Sequence, residues 1–86
     1  MASEFMLGQQ TITRELEAAF NQAGVRNVSV SHVTPGTEPA DTSFKVAANG
    51  RSEELLFTRE DIEDSAFAID SNAATKVRVL VSRFTG

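Results

Sequence analysis

The chain has 86 residues with a formal net charge of −4, and it contains no cysteine and no tryptophan. The missing thiols exclude a disulfide framework, thiolate metal sites, iron–sulfur clusters and thiol catalysis. A length of this order holds one domain with a small core, no apolar run approaches the roughly 20 residues of a membrane span, and the mild acidic surplus is too weak for a strong steering field.

Met1-Ala2-Ser3-Glu4-Phe5 reads as a cloning scar ahead of a natural start at Met6, so the domain is expected over residues 6–86. The segment after Met6 has neither the basic start nor the apolar core of a secretory leader, and the expectation is a bacterial-type cytoplasmic protein. Over residues 11–24, Ile12, Leu16, Ala19, Phe20 and Ala23 recur at helical spacing, which predicts an amphipathic helix. Thr11 is its expected N-cap and Gly24 its left-handed stop.

Val28-Ser29-Val30-Ser31-His32-Val33 alternates with period two and predicts a strand with Val28, Val30 and His32 on one face. Residues 34–41 carry two prolines and a glycine and predict a loop, the longest connection in the chain and a place where recognition could reside. Asn49-Gly50 is the preferred pair for a two-residue type I′ hairpin. That turn sets Ala48 against Arg51, Val46 against Glu53, Phe44 against Leu55 and Thr42 against Phe57. Lys45 then faces Glu54 on the opposite side, and Glu53 falls on the apolar side.

Thr58-Arg59-Glu60-Asp61 resembles a capping box, with Phe57 and Ile62 placed for a hydrophobic staple. A second helix is expected from there to about Asp70, stopped near Asn72. The final segment, Lys76 to Phe84, shows valine alternation at 77, 79 and 81 and predicts a fourth strand. The expected fold class is α+β in the order α-β-β-β-α-β, a two-layer sandwich with a mainly antiparallel four-stranded sheet and both helices on one face.

The candidate chemistry is sparse. His32 is the sole histidine, and no serine motif, thiol or second histidine stands by to make it a general base. The carboxylates Glu60, Asp61, Glu63 and Asp64 lack the alternating ligand spacing of a calcium loop and suit the positive end of a helix dipole. Glycine-rich phosphate loops and dinucleotide fingerprints are missing, the glycines falling at caps, turns and termini. No catalytic, cofactor-binding or metal-binding residue is therefore assigned.

The order helix–strand–strand–strand–helix over residues 11–70 resembles the double-stranded RNA-binding domain. That family sets a lysine-rich cluster at the start of its second helix. Here the same positions read Arg59-Glu60-Asp61-Ile62-Glu63-Asp64, an acidic set that repels phosphates. The cations that could meet a nucleic acid are Lys45, Lys76, Arg78 and Arg83, on a basic sheet face.

The leading expectation is a non-enzymatic interaction or regulatory module that binds a protein partner or a second copy of itself. Its surface is placed at Lys45, Lys76, Arg78, Leu80 and Arg83, with the valine-rich C-terminal strand as an open sheet edge. Nucleic-acid binding through the basic face and a small enzyme built on His32 are the alternatives. Neither a cofactor nor a membrane partner is expected.

Overall fold

The first helix, α1, runs over Glu4–Gln22 in a computed structural model that describes residues 3–36 and 38–85. Expectations that touch Met1, Ala2, Thr37 and Gly86 lie outside the described residues. Ser3 is the N-cap of α1, its hydroxyl accepting from the Met6 N–H at 3.2 Å. Thr11 therefore sits in mid-helix instead of at its start, buried, with its hydroxyl donating to the Ala66 carbonyl at 3.4 Å. Phe5 packs in the core. The C-terminus follows expectation. Gly24 has φ of 86°, and the Val25 N–H returns to the Phe20 carbonyl at 2.9 Å, closing a Schellman turn whose two apolar ends pack in the core.

Three antiparallel strands follow: β1 over Ser29–Val33, β2 over Thr42–Ala48 and β3 over Arg51–Phe57, in the spatial order β1-β2-β3. Asn49 and Gly50 both take positive φ, and the β2–β3 register is the one the type I′ turn dictates, from Ala48 opposite Arg51 to Thr42 opposite Phe57. On β2 the burial alternates along the strand, with Thr42, Phe44, Val46 and Ala48 inside. Glu53, on the apolar side, is half-buried and has Arg83 at 4.0 Å.

The short helix α2 covers Arg59–Asp64. Its capping box is complete: Thr58 Oγ1 accepts from the Asp61 N–H and Asp61 Oδ2 accepts from the Thr58 N–H, each at 3.1 Å. It stops at Asp64 instead of continuing to Asp70, because Ser65 diverts the backbone. The buried Ser65 hydroxyl donates to the Asp61 carbonyl at 2.7 Å and accepts from the Asp70 N–H at 3.0 Å. A serine that bonds the preceding turn and the chain ahead competes with helix continuation.

The last element overturns the expected fourth strand. Residues Ser71–Thr85 form a helix, α3, so the order is α-β-β-β-α-α and the sheet has three strands. Ala73, Val77, Leu80 and Phe84 are buried at helical spacing, and the side chain of Asp70 accepts from the Asn72 N–H at 3.0 Å to begin the helix. Asn72 thus opens a helix where it was expected to end one. The valines fit either period. The helix wins because only period 3.6 carries Leu80 and Phe84 into the core together with Val77.

Helices α1 and α3 pack against the sheet, α2 packs on α1, and the core lies between the layers around Phe20, Phe44 and Phe57. The Phe20 and Phe84 rings meet edge-on at 5.0 Å, as do Phe44 and Phe57. Helices α1 and α2 cross at Gly8, which is buried in mid-helix instead of at a cap or turn. A Cβ there would run into the Ile62 carbonyl oxygen.

Candidate functional site

The residues proposed from sequence as one surface do not share one. Lys45 lies exposed on the outer face of the sheet, opposite Glu54. Lys76, Arg78, Leu80 and Arg83 are all on α3, and Leu80 is fully buried. Because residues 71–85 are helical, the sheet face that was to gather Lys45, Lys76, Arg78 and Arg83 does not form. Arg78 remains exposed, with Nη2 at 3.4 Å from Thr75 Oγ1.

Lys76 is committed to structure. Its Nζ donates to Asp61 Oδ2 at 2.6 Å and to the Leu56 carbonyl at 3.0 Å, and it lies 5.5 Å from the centre of the Phe57 ring. Burial works against the Asp61 charge. The hydrogen bond and charge of Lys76, with the bonds from Thr58, outweigh it and hold the Asp61 carboxyl below its ordinary range.

The two sheet edges differ sharply. In a type I′ hairpin the residues flanking the turn form a hydrogen-bonded pair, and such pairs alternate along the ladder. The backbone groups of Ser52, Glu54 and Leu56 therefore point away from β2. On that side α3 packs along β3. Lys76 donates to the Leu56 carbonyl and Arg83 Nη1 approaches the Glu54 carbonyl at 3.5 Å. Arg51 reciprocates, its guanidinium donating to the carbonyls of Phe84 at 3.0 Å and Arg83 at 3.1 Å, which neutralises the negative end of α3. Two of the outward carbonyls of this edge thus carry side-chain donors from α3.

Among the described residues, none donates to the outer side of β1. Ser29, Ser31 and Val33 pair with Ala47, Lys45 and Ser43, and the alternation leaves the N–H and C=O of Val30 and His32 directed outward. None of residues 29–33 carries an acidic side chain, a lysine, an arginine or a proline, the devices that commonly blunt an edge. Four of the five strand residues are exposed, Val33 at 69%.

Between this edge and α1 runs an open groove of about 530 Å³, walled by Met6, Gln9, Gln10, Thr13, Arg14 and His32. It continues towards Thr34 and Pro39 of the β1–β2 loop. Gln9 Nε2 donates to Thr34 Oγ1 at 3.2 Å, and Thr34 Oγ1 and Thr42 Oγ1 share a hydrogen bond of 2.6 Å, so the loop's first residue is tied to α1 and to the start of β2. His32 is exposed and its ring sits 5.2 Å from that of Phe44, tilted by 38°. The groove walls hold no carboxylate to orient that imidazole.

Among the described residues no three His, Asp or Glu side chains stand together as a metal site, and no helix is long and apolar enough to cross a membrane. The order that resembles the double-stranded RNA-binding domain is present up to α2, whose first turn holds Arg59 and the acidic residues Glu60 and Asp61. Set against known protein families, curated proteins and solved structures, the chain matches none of them.

The sequence directs attention away from the β1 edge, because the valine alternation of the C-terminal segment predicts a strand with an open edge there. A signal was available: residues 29–33 hold no gatekeeping charge or proline, whereas the C-terminal segment carries Lys76, Arg78 and Arg83.

Proposed function

We propose that the chain is a non-enzymatic interaction module that accepts an extended segment of protein along the edge of β1. One observation carries the reading. The two edges of the same small sheet differ: α3 flanks β3 and sets Lys76 and Arg83 against two of its outward carbonyls, while β1 has no such donors among the described residues. A strand added there would bond the outward groups of Val30 and His32, and its alternate side chains would enter the groove under α1.

Selection of ligands from a library of extended peptides tests it, with the amide resonances of the chain as the readout. Bound peptides should shift Val30, His32 and the groove residues Gln10 and Thr13. Val30→Pro should abolish those shifts while leaving the fold intact, because the Val30 N–H serves no partner in the sheet. Ligands that bind undiminished to the Val30→Pro variant would refute the reading.

A further inference from the structure

We infer that the segment accepted by the β1 edge is β1 of a second copy, paired antiparallel about a two-fold axis at Ser31. This rests on the proposal that the β1 edge is the binding edge, and it specifies the partner and the register.

The strand is self-complementary about that residue. Reversal about Ser31 sets Ser29 against the partner's Val33 and Val30 against the partner's His32. Each pair joins residues of the same face, so the helix-covered sides of both copies coincide. The outward backbone groups belong to Val30 and His32, one residue on either side of the axis. Val30 can therefore exchange both of its hydrogen bonds with the partner's His32, and His32 with the partner's Val30, four bonds in all. A shift of one residue would set outward groups against inward ones and bring the wrong faces together.

The surroundings suit a second copy. Neither an acidic nor a strongly basic side chain of β1 meets its own image. The nearest cation on the outer face, Lys45, pairs with Ser31. It would stand three strand spacings from the partner's Lys45, about 14 Å, beyond a physiological screening length of about 8 Å. On the helix side, the partner's Val30 would enter the groove beside His32, giving the apolar wall at Met6 a cover. The product is a six-stranded sheet whose two outer edges are the β3 edges, each flanked by α3 and its donors Lys76 and Arg83.

The chain has no cysteine, which permits a direct test in the full-length protein. Ser31→Cys would bring two Cα atoms to about 4.5 Å as a non-hydrogen-bonded pair, inside the range a disulfide spans. Ser29→Cys is the control, its image lying about 13 Å along the strand. Mild oxidation should link the Ser31→Cys chains and leave the Ser29→Cys chains separate. Sedimentation of the unmodified chain over a range of concentrations should show a monomer–dimer equilibrium. Ser31→Glu should weaken that equilibrium on the order of tenfold, since the carboxylate gains Lys45 within one copy but meets its image across the axis.

Equal cross-linking of the two cysteine variants, or a monomer at every concentration, would overturn the inference. A monomer whose Val30 and His32 amides still respond to selected peptides loses the second copy as partner and keeps the β1 edge. Loss of both results removes both.

Discussion

Asp61 joins the start of α2 to α3 through a single carboxylate oxygen, and that makes its removal informative. Oδ2 accepts from the Thr58 N–H at 3.1 Å and from Lys76 Nζ at 2.6 Å. Asp61→Ala breaks half of the capping box, a loss of about 1 kcal/mol. It also removes a charge-assisted hydrogen bond of a class worth about 1.5–3 kcal/mol. The second figure must be discounted, because the Lys76 side chain is 28% exposed and can recover water. The expected total is a loss of about 2–3 kcal/mol. Lys76→Met keeps the aliphatic cover on Phe57 and strands a buried carboxylate, for a loss of about 1–2 kcal/mol. The double variant should lose less than the two singles together, by about 1 kcal/mol. With neither tryptophan nor tyrosine in the chain, urea unfolding followed by far-ultraviolet circular dichroism is the suitable assay. Single variants that add within about 0.5 kcal/mol would refute the coupling of α2 to α3 through this pair.

The same carboxylate sets a pH dependence. Its folded-state pKa lies below the unfolded value, so its stabilisation is complete above the unfolded value and is lost as acid titrates it through the folded one. Wild-type stability should therefore fall below about pH 4, and Asp61→Asn should fall less steeply over the same interval in the same unfolding assay. Gly8→Ala should destabilise by about 1–3 kcal/mol through overpacking, although alanine is the better helix former, because its methyl meets the Ile62 backbone; an increase in melting temperature would contradict the close crossing of α1 and α2. Leu80→Ala should lower stability by about 2–5 kcal/mol, while Phe67→Ala, at a residue 86% exposed, should change it by less than about 0.5 kcal/mol. Equal losses from those two changes would place α3 wrongly.

Local chemistry made the central hairpin readable. Asn49-Gly50 demanded one turn, the turn demanded one register, and the alternation of Phe44 and Val46 against Leu55 agreed with it. The capping box at Thr58 was readable for the same reason, since both of its bonds span three residues. The C-terminal segment is ambiguous in sequence because period two and period 3.6 both accommodate its valines, and β-branched residues favour a strand. Leu80 held the warning: as a strand residue it fell among charges, and as a helical one it is fully buried. Ser65 could not be recognised as a stop because its effect depends on Asp70 arriving five residues later. Gly8 was illegible for a longer-range reason, since only the crossing with α2 makes its missing side chain necessary.

The helical state of residues 71–85 and the difference between the two sheet edges are linked. As a strand, residues 76–84 would have extended the sheet, offered their own open edge and displayed Leu80 beside Arg78. As a helix they turn inward, and Lys76 and Arg83 spend their donors on the β3 carbonyls. Closing one side of a three-stranded sheet leaves one side open, and β1 has neither the charges nor the prolines that would guard it. The segment expected as an open strand thus supplies, as a helix, the donors that distinguish the β3 edge from the β1 edge.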